Sequence, residues 1–153
     1  IAWLHFRVSK DYAQEYNRAF KLTEKQLNWF VDECREAYDT CREAIVKAFR
    51  IGTPTAVGSD AAHVFPPFTV AYEAEYFQDL GIPPLQIIKS ATQVAAKAIG
   101  RADVWGTLEP GKAADVLIVD GDPSQDVRIL KDKTKILMIL KDGEVVKDTI
   151  PKV

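Results

Sequence analysis

The sequence predicts an α/β chain that ends in a small sheet of its own. Three observations carry this reading. From about Leu22 to Arg50, apolar residues recur at three- and four-residue spacing, the period of a helix. The short run Thr53–Val57 is then closed by Gly58-Ser59-Asp60 and followed by more helical pattern, as in one turn of an alternating α/β fold. Beyond Trp105 the apolar residues fall into β-branched runs, with Asp142-Gly143 between the last two as a hairpin signal. The division falls between residues 1–104 and 105–153.

The elements follow in order. Residues Ile1 to Phe20 carry Trp3, Phe6, Tyr12, Tyr16 and Phe20, which suit packing on a neighbour as well as within the chain. Thr23 and Gln26 have capping-box spacing. Leu27, Phe30, Val31, Cys34, Tyr38, Cys41, Ile45, Ala48 and Phe49 then mark one long amphipathic helix, or two joined near Asp39-Thr40. After the strand at Thr53–Val57, a loop holds His63 and Pro66-Pro67. A second helix runs from Val70 to Leu80 and stops at Gly81. Pro83 opens a third, with Leu85, Ile88, Ala91, Thr92 and Ala95 on one face and Gly100 at its end. The strands of the sheet are Ala114–Val119, Ile136–Leu140 and Glu144–Lys147, with Gly121-Asp122-Pro123 turning the chain after the first.

Composition narrows the function classes. At 153 residues, 47% hydrophobic and 27% charged, the chain is long enough for a core and ordinary for a soluble domain. Its 20 basic and 22 acidic residues nearly balance, so charge gives no case for nucleic-acid binding. No apolar run approaches the ~20 residues of a membrane-spanning helix. The opening IAWLHFRVSK lacks the parts of a signal peptide, and the missing initiator Met points to sequence upstream. Cys34 and Cys41, two helical turns apart, are too distant to bond to one another. They read as small buried residues of a reduced compartment, and a cytoplasmic location is expected.

Two motifs need weighing. Gly106 to Lys112 nearly spells a phosphate-binding loop, but Ala113 stands where a hydroxyl should hold magnesium. The segment also leads into a strand rather than a helix, so nucleotide binding is rejected and Gly106 and Gly111 are read as turn glycines. Asp60 is the other. A carboxylate at the carboxyl end of a buried strand sits where α/β barrels keep their chemistry, placed to bind a metal or take a proton from water. By spacing alone it also reads as a loop or helix-cap residue. His63 suits a supporting or substrate-contacting group, or merely a solvated loop side chain; His5 has a weaker claim. The two histidines do not make a metal-ligand spacing.

The order of these features resembles a known family. The helix end Ala48-Phe-Arg-Ile-Gly52 runs into Pro54-Thr-Ala-Val-Gly-Ser-Asp60. Later come Gly81-Ile-Pro-Pro84, Ser90-Ala-Thr92 through Gly100, and Gly106-Thr-Leu-Glu-Pro-Gly-Lys-Ala-Ala-Asp115 through Gly121-Asp-Pro123. From about Ala44 to Lys147 this is similar to the carboxy-terminal portion of the amidohydrolase superfamily, in its imidazolonepropionase-like and prolidase-like branch.

The resemblance implies a metal-dependent hydrolase on a (β/α)8 TIM barrel, with a small β-sandwich built from both chain ends. Residues 1–104 would be an incomplete barrel, its last two βα units, and residues 105–153 strands of the sandwich. Asp60 matches the aspartate ending the eighth strand, a metal ligand and general base for the attacking water. Zinc or a related divalent ion is the implied cofactor, and a small amide or dipeptide-like molecule the implied substrate. The family's His-x-His pair, bridging lysine and further histidines are not matched here, and a complete barrel takes about 250 residues. Catalytic zinc takes three protein ligands, of which Asp60 is the one assigned. The expectation is therefore a carboxy-terminal fragment of a hydrolase of C–N bonds, inactive alone and binding well under one metal per chain. The competing reading is a non-catalytic packing or assembly chain that keeps the tail of the fold. A small independent α/β binding module is a third. Open strand edges predict a homo-oligomer that covers Thr53–Val57.

Overall fold

The computed structural model describes residues 21, 23–58 and 69–151. Helix α1, Glu24–Arg50, is continuous, with no break at Asp39-Thr40. Its start is set by chemistry local to three residues. The Thr23 hydroxyl accepts the Gln26 N–H, and the Gln26 side chain accepts the Thr23 N–H at 2.9 Å. Two otherwise orphaned donors are thereby satisfied.

Helix α2, Thr69–Asp79, is followed by α3, Pro84–Lys89, which passes through a π turn at Ser90–Val94 into α4, Ala95–Ala98. The helices end alike. Thr53 N–H reaches Ala48 C=O at 2.9 Å, Ile82 N–H reaches Phe77 C=O at 3.1 Å, and Arg101 N–H reaches Ala96 C=O at 2.9 Å. Each bond closes a Schellman motif around a glycine of positive φ (Gly52, Gly81, Gly100), the backbone state that glycine adopts at least cost.

The sheet has the order β1-β2-β3, all antiparallel, from Val116–Val119, Ile136–Lys141 and Glu144–Asp148. Leu117 pairs with Ile139 and Ile139 with Lys147, and each ladder carries one irregularity in register. Asp142 (φ 51°) and Gly143 (φ 82°) form the two-residue turn, the primed geometry that matches strand twist. The predicted hairpin is therefore present. Within the crossing connection lies a 3-10 turn, Val127–Lys131, which the sequence reading placed in the loop.

One core binds these parts. Ile45, Val57, Ala74, Tyr76, Phe77, Ile82, Ile87 and Val127 are all buried in a single cluster, so α1, α2, α3 and the 3-10 turn share an interior. Phe49 meets Phe77 edge-on at 5.5 Å. Between the helices and the sheet is a cavity of about 240 Å³, lined by Val70, Ala74, Ile87, Leu117, Leu130 and Ile139 among other apolar residues. No helix among the described residues is long and apolar enough to cross a membrane.

Candidate functional site

Asp60, His63 and His5 lie outside the described residues. What is described is the chain on either side of the first two, up to Gly58 and from Thr69 onward. The approach differs from expectation. Residues 53–58 are coil and not a strand. A strand is defined by its neighbours, and among the described residues no second strand lies beside this segment to complete a ladder. Apolar β-branched composition signals a segment suited to pairing but does not supply the partner.

The segment is nonetheless anchored. Val57 is 8% exposed, and its N–H donates to the Ser90 carbonyl at 3.2 Å. Ser90 is itself buried, at the first residue of the π turn. A π turn widens the helix and shifts its hydrogen-bonding from the fourth to the fifth residue, a local irregularity found often near functional sites. The Thr92 hydroxyl donates to the Ile88 carbonyl at 2.7 Å along the same stretch.

Behind this turn sits Gly106, at φ 97°. A Cβ there would lie 2.8 Å from Ala96 Cβ and 3.0 Å from both Gln93 Cα and the Thr92 carbonyl oxygen. Only a residue without a side chain fits so close to the helix. Next to it, Trp105 packs under the Arg101 guanidinium at 4.7 Å. The Gly106 loop closes on itself. Lys112 Nζ donates to the Thr107 hydroxyl at 2.5 Å and lies 3.5 Å from Glu109, and Ala113 N–H reaches the Val104 carbonyl at 2.9 Å. The Thr107 hydroxyl, and then Lys112, hold the Glu109 carboxyl below its usual range. Lys112 thus serves its own loop, and the chain proceeds to β1, in keeping with rejection of a phosphate cradle.

A charged joint fixes α2 to the 3-10 turn. Gln78 Nε2 donates to Asp126 Oδ1 at 2.9 Å, while Gln78 Oε1 accepts the Val127 N–H at 2.8 Å. Arg128 pairs with Asp79, Asp126 and Glu75, and Lys131 Nζ donates to Glu75 at 2.6 Å. The Arg128 backbone N–H holds the Asp126 carboxyl below its ordinary range, and the hydrogen bond to Asp79 raises the Arg128 guanidinium.

Among the described residues neither feature gathers the groups of a reaction centre. The cavity offers apolar surface with almost no polar group to orient a substrate. The joint uses its charges on one another. Among the described residues no three His, Cys, Asp or Glu side chains form a group that could hold a metal ion. Val57 and Ser90 fix the described chain up to Gly58. The sequence reading missed Ser90 and the tight seat of Gly106, because nothing local marks either.

Comparison with known proteins places these features in context. Residues 35–146 match the profile of the amidohydrolase family. Ochratoxinase of Aspergillus niger is 29% identical over 111 residues, covering 71% of this chain and 22% of that protein. Imidazolonepropionase of Geobacillus kaustophilus is 36% identical over 67 residues, covering 44% of this chain and 16% of that protein. A crystal structure of a Xaa-Pro dipeptidase with methionine bound in its active site superposes with a TM-score of 0.66 at 28% identity, covering 88% of this chain and 32% of that one. The chain thus spans about a fifth of the length of the first of these relatives and about a third of the dipeptidase.

Proposed function

This chain belongs to the amidohydrolase family, and from that membership we propose that it is the carboxy-terminal part of a hydrolase of amide or peptide-like C–N bonds. The observation that carries the reading is the extent of the match. It runs through Gly58-Ser59-Asp60 and on across the Gly106 loop and the sheet. In this reading residues 1–104 are the end of an incomplete (β/α)8 barrel and residues 105–153 part of a small sandwich. A small amide or Xaa-Pro dipeptide is the substrate class, supported by the dipeptidase and ochratoxinase among the relatives.

Asp60 is the general base. Its carboxylate accepts a proton from the attacking water and returns it to the leaving nitrogen, so the amine departs neutral. His63, three residues on, contacts substrate or supports Asp60. Amidohydrolases generally use divalent metals; the described residues provide no ligand set for one, so the remaining ligands would come from outside them. The protein acts as a homo-oligomer. Ile118, Val145 and Val146 are exposed on the sheet, and β1 and β3 each have one neighbour among the described strands.

The test compares the 153-residue chain with a version extended upstream to the length of its relatives. Metal content comes from elemental analysis, and rates from a panel of Xaa-Pro dipeptides. We expect well under one metal and no turnover in the short chain, with turnover in the long one that Asp60→Ala abolishes without loss of fold. Full activity of the long Asp60→Ala variant would reduce Asp60 to a loop residue. Light scattering that finds a monomer at high concentration would remove the oligomer.

A further inference from the structure

Asp120-Gly121 and Asp142-Gly143 are the same dipeptide at two places in the chain. Aspartate before glycine is prone to spontaneous isomerisation, because glycine leaves its own backbone nitrogen unshielded. That nitrogen attacks the aspartate Cγ and a C–N bond forms. The hydroxyl of the protonated carboxyl leaves with the nitrogen's proton as water, giving a succinimide ring. Water then adds back. Entry at Cγ restores aspartate, and entry at the main-chain carbonyl yields isoaspartate, whose backbone runs through the side chain with an added methylene. One water leaves and one returns, so no oxidant or co-reactant is consumed. Ring closure needs a free glycine nitrogen and a carboxyl able to swing over it.

At Asp142 the nitrogen is taken. Gly143 N–H donates to the Ala114 carbonyl at 3.1 Å, and Asp142 N–H donates to Asp115 Oδ1 at 2.8 Å. Both residues have positive φ in the two-residue turn, so ring closure must first undo that turn and release the bond. At Asp120 the restraint lies on the other partner. Gly121 N–H makes no hydrogen bond to a described residue, and Gly121 lies outside any helix or strand. Asp120 itself is what is held. Its N–H donates to the Lys135 carbonyl at 2.7 Å, and its carboxylate accepts from Lys135 Nζ at 2.7 Å. The two side chains of that ion pair are 58% and 45% exposed, and pairs so placed restrain little.

We propose that Asp120 is a site of spontaneous conversion to isoaspartate, with Lys135 as its brake, and that the start of β1 protects Asp142. The location gives the change a consequence. Asp120 follows β1 and Lys135 precedes β2. An added methylene therefore falls where the crossing connection leaves the sheet on its way to the buried Val127. Both bonds between residues 120 and 135 would lose their alignment.

The experiment ages the 153-residue chain at neutral pH, native and in urea. Both sites are followed by peptide mapping that separates isoaspartyl from aspartyl peptides. Each native rate is divided by the rate at the same site in urea, which removes the effect of sequence neighbours. That ratio should be roughly tenfold higher at Asp120 than at Asp142, the effect of about one hydrogen bond on the nitrogen. Lys135→Gln should speed Asp120 by about two- to fivefold and leave Asp142 unchanged. Asp115→Ala should speed Asp142, whereas Asp115→Asn, which keeps an acceptor for the Asp142 N–H, should not. Should Asp115→Ala melt the hairpin, the wild-type comparison decides alone. Equal ratios at the two sites, a higher ratio at Asp142, or a native chain that forms no isoaspartate at Asp120 overturns the proposal. An Asp120 rate that Lys135→Gln leaves unchanged overturns the role of Lys135.

Discussion

Gln78 holds Val127 through a single side-chain oxygen, which accepts the Val127 backbone N–H at 2.8 Å while its nitrogen donates to Asp126. Val127 is fully buried in the core cluster. One amide therefore fixes the crossing connection of the sheet to the last turn of α2. Loss of the side chain leaves a donor and a carboxylate without these partners. We expect Gln78→Ala to cost about 1–3 kcal/mol in urea unfolding. A change within error would show that water replaces the bond without penalty.

The pairing of Phe49 with Phe77 ties the end of α1 to α2 in the same way. Phe77 is 2% exposed, and Phe77→Ala should cost about 3–5 kcal/mol. A double-mutant cycle with Phe49→Leu should show a coupling of about 0.5–1.5 kcal/mol for the edge-on rings. Strict additivity would place the two rings in independent environments.

Acid should loosen the joint between α2 and the 3-10 turn. The Asp126 carboxyl is held below its usual range by the Arg128 N–H, then by Gln78 and the Arg128 charge. Its folded pKa is thus lower than its unfolded one. Its contribution is fully present above the unfolded value, about 4, and is lost as pH falls through the folded value. Stability measured between pH 7 and pH 2 should fall less steeply in Asp126→Asn than in wild type below pH ~4. Parallel curves would assign the acid loss to other carboxyls, of which Glu109 and Asp132 are also lowered.

The hairpin turn should tolerate little change at its second residue. Gly143 is at φ 82°, and Gly143→Ala should cost about 1–2 kcal/mol. Asp142→Asn should be nearly neutral, since Asn adopts positive φ with similar ease. Thermal melts of the two variants separate these outcomes.

Much of the fold was legible because its signals are local. Thr23 and Gln26 mark the start of α1, Gly81 and Gly100 mark helix ends, and Asp142-Gly143 marks the turn, each by chemistry within a few residues. The strand expected at Thr53–Val57 failed for the opposite reason. Its ladder depends on partners that composition cannot specify. The 3-10 turn was hidden because Val127 and Leu130 are too few to show a period, and the widening at Ser90 has no residue signature at all. For the site, Asp60 was read from its place after Gly58-Ser59 and from a family pattern. The seat of Gly106 was not, since a turn glycine and one pressed against a helix look the same in one dimension.

The shared core has a consequence for how the chain would behave once cut. The loop before β1 is exposed at its tip, with Leu108 at 78% and Glu109 and Pro110 also open to solvent. A protease reaching that loop would sever the peptide without dismantling the molecule. Val127 would still be sealed among Tyr76, Phe77 and Ile87, and Gln78, Arg128 and Lys131 would still bridge the two pieces. Such a nicked chain should travel as one particle under native conditions and separate into two only in denaturant. It would be two polypeptides held as a single body by a buried valine and its polar surround.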